Sequence, residues 1–353
     1  MTAGSLVDWE DAALVAGRLV RPGPVASRTE VEDLVGALRG AARRAVQPVL
    51  DITAMVPADG RDLDVAPLSE VLVVDRAGWA KAAARSMRDM TDDVLVLPSG
   101  GSPAVAAQVA ASAEIGAALA FLSTKILGQF DPYSAHEPGR LLLVAPNVLH
   151  VEREMGVRPE DFRLWVALHE QTHALQFAAA PWLAAHLRDR THALVRGMSA
   201  TSGVRDVGPR LVAVVRALYR ALRGIEGASL VDGILTREQQ AELDAITAVM
   251  SLLEGHADVA MDAVGPRVVP SVRSIRRKFE KRRDTSGAAD GVVKRLLGMD
   301  AKLAQYRDGA AFVRGVTRDV GTVGFNAVWT DRSTLPTADE IADPAAWVRR
   351  VHG

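Results

Sequence analysis

The sequence predicts a mostly helical α+β fold with a small sheet, built as a single domain over residues 1–353. Ala, Leu, Val and Arg dominate the chain and aromatic residues make up only 5% of it, a composition that favours helices. Apolar residues recur at helical spacing through long segments. Two short runs, Val71–Val74 and Leu141–Val144, have the length and composition of strands. Apolar residues form 48% of the chain, which is enough for a sizeable core.

The N-terminal segment predicts two helices. The first runs from Trp9 to Val20 and is ended by the Pro- and Gly-rich segment Pro22–Pro24. Ser27 and Glu30 have the spacing of a capping box and open a second helix, which reaches about Pro48. The first 60 or so residues are a candidate helical cap on the domain.

The middle of the chain alternates strand, helix and loop. The strand Val71–Val74 is followed by a helix from about Gly78 to Met90. The Gly- and Ser-rich segment Pro98–Pro103 predicts a loop. An apolar helix of small residues then runs from Ala104 to near Gly128, and the segment Gln129–Gly139 predicts an ordered loop.

The second half is predicted to be almost entirely helical after the strand Leu141–Val144. Pro159 is suited to the first turn of a helix, which we expect to continue through Ala178. Further helices lie on either side of the polar break Ser199–Pro209. One long helix, Arg237–Val264, is ended by Gly265 and Pro266.

Composition excludes several classes of function. The net charge is −1, so nothing in the charge balance favours nucleic acid or an anionic membrane as a partner. The chain has no cysteine, so any metal must be bound by His, Asp or Glu. Met1–Glu10 lacks the pattern of a signal peptide, and the apolar stretch Ala104–Leu122 is interrupted by Gln108, Ser112 and Glu114. We therefore expect a cytoplasmic protein without a membrane span.

The segment His169–His173 has the pattern H-E-x-x-H inside an apolar, proline-free helix. Residues four apart lie above one another on a helix, so both imidazoles project from one face and can bind one zinc ion. Glu170 follows the first ligand and is placed to accept a proton from zinc-bound water. The alternative is a plain helix with two exposed histidines.

A catalytic zinc needs a third protein ligand, and Glu254 is the candidate. It lies on the long helix beside the apolar stripe, in a polar line that includes Asp258, and the alternative is a solvated helix face. His256 is two residues away, which turns it roughly 200° from Glu254, so both cannot face one metal. Glu254 completes a two-histidine, one-glutamate set with a fourth position left for water.

The pair Glu254 and Asp258 downstream of H-E-x-x-H resembles the gluzincin arrangement. That resemblance implies that Glu254 binds zinc and that Asp258 accepts a hydrogen bond from a ligand histidine. Nearly the whole chain is similar to actinobacterial zincin-like proteins grouped as hydrolases, some of which are associated with coenzyme F420 biosynthesis. The similarity is carried by Val7–Trp9, Val73–Arg76, Leu127–Pro132, Leu143–Asn147, His169–His173, Leu253–Asp262 and Phe325-Asn326-x-Val328-Trp329.

Two further parts of a catalytic site are expected. Tyr306 lies in a predicted helix and could donate a hydrogen bond to a developing oxyanion, although a tyrosine there is more often a packing residue. In zincins an edge strand borders the cleft, and by this resemblance the strand Leu141–Val144, followed by Ala145 and Asn147, would pair with an extended substrate. The alternative is an ordinary internal strand.

These residues together predict a zinc-dependent hydrolase that cleaves a peptide or other amide bond, with Zn²⁺ as its cofactor. Two alternatives stay open at this point. The protein could keep its zinc as a non-proteolytic accessory or binding protein, linked by the resemblance to coenzyme F420 metabolism. It could also be a helical scaffold without metal.

Overall fold

The computed structural model describes residues 5–91, 93–95, 102–134, 138–200, 236–285 and 302–353. Within these ranges the chain is mostly helical and carries one small sheet, so the predicted fold class is confirmed. The predicted polar break Ser199–Pro209 lies largely outside the described residues.

The helices that were predicted with bounds are all present, most of them within a few residues of those bounds, whereas the helix Ala145–Met155 was not predicted. The long α-helices are α1 (Trp9–Leu19), α2 (Arg28–Thr53), α3 (Arg76–Thr91), α4 (Ser102–Ser123), α5 (Ala145–Met155), α6 (Pro159–Ala179), α7 (Trp182–Ala200), α8 (Arg237–Ala263), α10 (Val272–Thr285) and α11 (Lys302–Phe325). The short ones are α9 (Gly265–Val268), α12 (Ala338–Ala342) and α13 (Pro344–His352). Two 3₁₀ helices, Asn326–Trp329 and Arg332–Thr334, follow α11.

The sheet has three strands in the order β1-β3-β2, where β1 is Glu70–Val74, β2 is Gly128–Asp131 and β3 is Arg140–Val144. Strand β3 pairs in parallel with β1 and antiparallel with β2. Its run of apolar residues is buried, as expected of a central strand covered on both faces. Strand β2 was missed in the sequence, which predicted a helix end and a loop there. Its four residues offer one large apolar side chain and no alternating pattern.

The N-terminal helices belong to the same core as the rest of the described chain. The Asp8 side chain caps α1, and the Ser27 side chain caps α2 by accepting from the Glu30 amide. Helix α2 continues past Pro48, where the sequence predicted its end, and α2 packs against α6 while α1 packs against α3 and α4. Residues 5–60 therefore share one continuous apolar interior with the rest of the described chain.

Helix α4 is unusually apolar. Its segment Val105–Ser123 is long and apolar enough to cross a membrane, judged by length and composition alone. The same helix lies against α1 and α3, and Ile115 and Leu119 on its inner face are fully buried. Only part of the segment is buried, and the apolar side chains of Val105 and Val109 on it are exposed.

Helices α8 and α11 touch backbone to backbone. A Cβ atom added to Gly255 would lie 2.2 Å from the Gly309 carbonyl carbon, and one added to Gly309 would lie 2.1 Å from the Ser251 oxygen. Both distances are far inside van der Waals contact, and the obstructing atoms are backbone atoms that no rotamer change can move. The glycine pair therefore fixes how closely α11 approaches the helix that carries Glu254.

We predict that Gly309→Ala lowers the free energy of unfolding by at least about 2 kcal/mol, because the added methyl group must push two packed helices apart. Gly36→Ala is the matched control, since Gly36 is exposed inside α2 and its added Cβ meets no atom within 4 Å. The control should be stabilised by about 0.5–1 kcal/mol through helix propensity. Denaturant unfolding measures both, and equal stabilities for the two variants would contradict the close contact.

Candidate metal centre

Helix α6 brings the two histidines of the H-E-x-x-H segment together. Pro159 occupies its first turn, where a missing amide proton has no cost, and no later proline interrupts the hydrogen-bond ladder. The four-residue spacing then places His169 and His173 on one face, as predicted. Their rings lie 4.7 Å apart between centroids, and the two Nε2 atoms are separated by 3.2 Å.

Helix α8 brings Glu254 to the same point. Its Oε2 atom lies 3.4 Å from the Nε2 atom of His169, and its Oε1 atom lies 3.6 Å from the Nε2 atom of His173. Among the described residues this is the group of His, Asp and Glu side chains whose donor atoms converge closely enough to bind a metal ion. The structure thus assembles the three residues that the sequence predicted as ligands.

The separations between these donors fit zinc. A tetrahedral zinc with bonds of about 2.0–2.1 Å holds its ligand atoms about 3.3 Å apart. The two imidazole nitrogens are 3.2 Å apart, and Nε2 of His169 is 3.4 Å from Oε2 of Glu254, while the 3.6 Å distance from His173 runs to the other carboxylate oxygen. With one ligand atom taken from each residue, the three atoms all lie within 4.8 Å of one another. Two imidazoles and one carboxylate are also a donor set found at catalytic zinc sites, which keep one position open.

Glu170 lies beside this group, on the side of strand β2. Its side chain is buried, and its charge is close enough to raise the pKa of His169. Gly128 in β2 faces it so closely that an added Cβ would lie 2.6 Å from Cγ and 2.8 Å from Oε1 of Glu170. The absence of a side chain at Gly128 is therefore what leaves room for the Glu170 carboxylate.

Glu254 also controls protonation of the site. Burial alone would lower the pKa of His169, but the hydrogen bond and negative charge of Glu254 raise that pKa to about 9. His169 thus carries a proton at neutral pH when no metal is bound. A metal ion has to displace this proton, because the imidazole binds metals only through a free lone pair.

Sequence reasoning missed Gln176, which is fully buried one turn after His173. Its Oε1 atom accepts a hydrogen bond from Nδ1 of His173 at 2.9 Å, and its Nε2 atom lies 3.0 Å from both the Leu253 oxygen and Nδ1 of His256. Burial, followed by the nearby charge of His173, lowers the pKa of His256 to about 3. The i, i+3 spacing of His173 and Gln176 was the signal that could have identified this contact.

The hydrogen bond predicted between Asp258 and a ligand histidine is not formed. Both carboxylate oxygens of Asp258 accept hydrogen bonds from Arg276, at 2.7 and 2.8 Å. The Nδ1 atom of His169 instead faces the sulfur of Met261 at 3.2 Å, and that of His173 faces Gln176. A bidentate pair with a guanidinium satisfies the Asp258 carboxylate more fully than one imidazole N–H.

The substrate-edge prediction for Ala145 and Asn147 is also wrong. Strand β3 is the central strand, so both of its sides are already paired. Ala145 begins α5, and Asn147 is buried, accepting from Arg76 and donating to the Ser123 and Ile126 oxygens. Asn147 therefore links the start of α3 to the end of α4 and has no exposed backbone edge to offer.

The position of Tyr306 leaves its predicted function open. The residue belongs to α11, the helix that packs on α8, but its side chain lies outside the described part of the structure. Its proposed hydrogen bond to an oxyanion stays a prediction.

The chain is similar to known proteins over nearly its whole length. A crystal structure of a protein from Chloroflexus aurantiacus, provisionally described as a hydrolase with a novel fold, is similar over 98% of each chain, with a TM-score of 0.66 and 29% identity. None of the curated proteins that were compared matches the chain. The family model of the zincin-like metallopeptidases matches residues 7–348. The chain therefore belongs to the zincin-like metallopeptidase family.

Proposed function

We propose that this protein is a zinc-dependent hydrolase that cleaves a peptide or other amide bond. The observation that carries the proposal is the convergence of His169, His173 and Glu254 at separations suited to zinc, with Glu170 beside them. Membership of the family supports hydrolysis as the reaction class.

The residues divide the chemistry between them. His169, His173 and Glu254 would hold the metal, which supplies a Lewis acid that polarises a carbonyl and lowers the pKa of water toward about 7. Glu170 accepts the proton of the attacking water and then passes it to the leaving amine. Its burial against Gly128 holds the carboxylate in one place, so the proton acceptor needs no reorganisation during the reaction.

Strand β2 is the element that we assign to substrate binding in place of β3. It is an outer strand of the described sheet, and its first residue, Gly128, contacts Glu170. An extended peptide paired along its outer side would pass the general base. This placement favours a peptide-like substrate over a compact one.

We predict that the purified protein contains about one zinc ion per chain and that His173→Ala and Glu254→Ala each lose it, because two remaining ligands bind too weakly. His150→Ala is the control, since His150 is an exposed residue of α5 outside the donor group. Elemental analysis after chelator-free purification and zinc reconstitution measures the content. A metal-free wild type that takes up no zinc would overturn the proposal.

We predict that Glu170→Gln keeps its zinc and loses hydrolysis by about 10²–10⁴-fold, because the amide preserves the shape but cannot accept a proton. A peptide library assayed with wild type and variant at equal zinc content measures the effect. Unchanged turnover of any substrate removes Glu170 from the mechanism. Zinc uptake without turnover of any peptide or amide favours an accessory function for the metal site.

We predict that Gly128→Ala also retains zinc but loses at least about tenfold in turnover, since its methyl group displaces the Glu170 carboxylate and leaves the three donor side chains in place. Gly36→Ala, at an exposed position in α2, controls for the general effect of replacing a glycine. Wild-type turnover in Gly128→Ala would show that the contact with Glu170 does not position the base.

A further inference from the structure

We propose that Gln176 is a positioning residue for the metal site, which fixes the tautomer of His173 and ties it to the helix that carries Glu254. The inference rests on the proposed zinc site and goes beyond it by assigning a function to a residue outside the donor set. It follows from three contacts of one fully buried amide group.

The orientation of the amide is set by the Leu253 carbonyl. A carbonyl oxygen can only accept hydrogen bonds, so the Gln176 atom that lies 3.0 Å from it must be the NH₂ group. With the amide turned the other way, two oxygens would face each other in a buried site, at a considerable cost in free energy. The oxygen of the amide therefore points to His173.

This orientation decides which nitrogen of His173 carries the proton. The Gln176 oxygen lies 2.9 Å from Nδ1, and since that oxygen has no proton to give, Nδ1 must be the donor. A neutral imidazole with its proton on Nδ1 has its lone pair on Nε2. Nε2 is the atom that faces His169 and Glu254, so the ring is held in the form that a metal requires.

The second N–H of Gln176 is directed at His256. Its nitrogen lies 3.0 Å from Nδ1 of His256, which accepts the bond in a ring that packs against both Phe325 and Trp329. The buried amide thus uses its oxygen and both N–H groups on defined partners. The aromatic pair keeps His256 in place and explains why the C-terminal segment identified in the sequence lies near the metal site.

A glutamine is better suited to this position than the carboxylate that often orients a zinc-bound histidine. A carboxylate could accept from Nδ1 of His173, but it would meet the Leu253 oxygen as an unpaired negative charge. The amide accepts on one side and donates on the other. It therefore links His173 on α6 to the residue that directly precedes Glu254 on α8.

The test compares the zinc dissociation constants of Gln176→Met and Gln171→Met with that of the wild type, by competition with a chromophoric chelator. Gln171 is a matched control, because it is a buried glutamine of the same helix whose amide donates to the Ala42 carbonyl of α2, at 3.0 Å, and not to the helix that carries Glu254. We expect Gln176→Met to bind zinc about 10–100-fold more weakly. Gln171→Met should bind it as tightly as the wild type.

The outcomes separate this inference from the proposed function. Equal affinities in the two variants would overturn the assignment of Gln176 alone, whereas a wild type that binds no zinc would overturn the metal site and this inference together. If a variant does not fold, the tautomer of His173 can still be measured in the wild type. Imidazole ¹⁵N spectra of the zinc-loaded protein should show His173 protonated at Nδ1 and coordinated through Nε2, and the reverse pattern would refute the proposal.

Discussion

The candidate site depends on the crossing of α6 and α8, because its donors come from two helices that are far apart in the sequence. Two contacts set this crossing. The Gln176 side chain of α6 donates to the Leu253 carbonyl of α8, which fixes the helices along their length. On the other side of α8, the backbone contact between Gly255 and Gly309 packs α11 directly against it. Helix α8 therefore cannot move away from α6 without displacing α11. Glu254 is held between these two contacts, so its distance to the histidines is a property of helix packing.

The charges along α8 explain why only one of its carboxylates reaches the imidazoles. Asp258 and Asp262 both pair with Arg276 of α10, whose guanidinium is itself half-buried among them. The arginine thus balances the negative charges of these two aspartates. Glu254 is the carboxylate of this helix that pairs with His169 and His173. A partly buried carboxylate needs a cationic partner or donors to offset the cost of desolvation. In the site, Glu254 interacts with both imidazoles, which places its carboxylate where a cation would bind.

How much of this could be predicted depends on the range over which each interaction acts. His169 and His173 were found because helical spacing is local and their residue types are specific. Glu254, on a distant helix, was found from the polar line that it shares with Asp258 and from the resemblance to the gluzincin arrangement. The pairing of Asp258 with Arg276 was not predicted, because it joins two different helices and leaves no periodic pattern in the sequence. The strand order escaped for the same reason. An apolar run identifies β3 as a buried strand, but its neighbours are fixed only by the tertiary fold.

The C-terminal segment after α11 shows how far the site extends beyond the H-E-x-x-H helix. Asn326 donates to the carbonyl oxygens at the end of α2, where Ala54 adopts a left-handed conformation with φ 51°. The Trp329 carbonyl accepts from Trp182 of α7, and its ring packs on His256 of α8. One short stretch therefore fastens three helices, of which α2 and α8 both pack against α6. Because each contact reaches α6 through a different neighbour, the histidines are held by the whole described core, and a short peptide containing only the motif would lack this support.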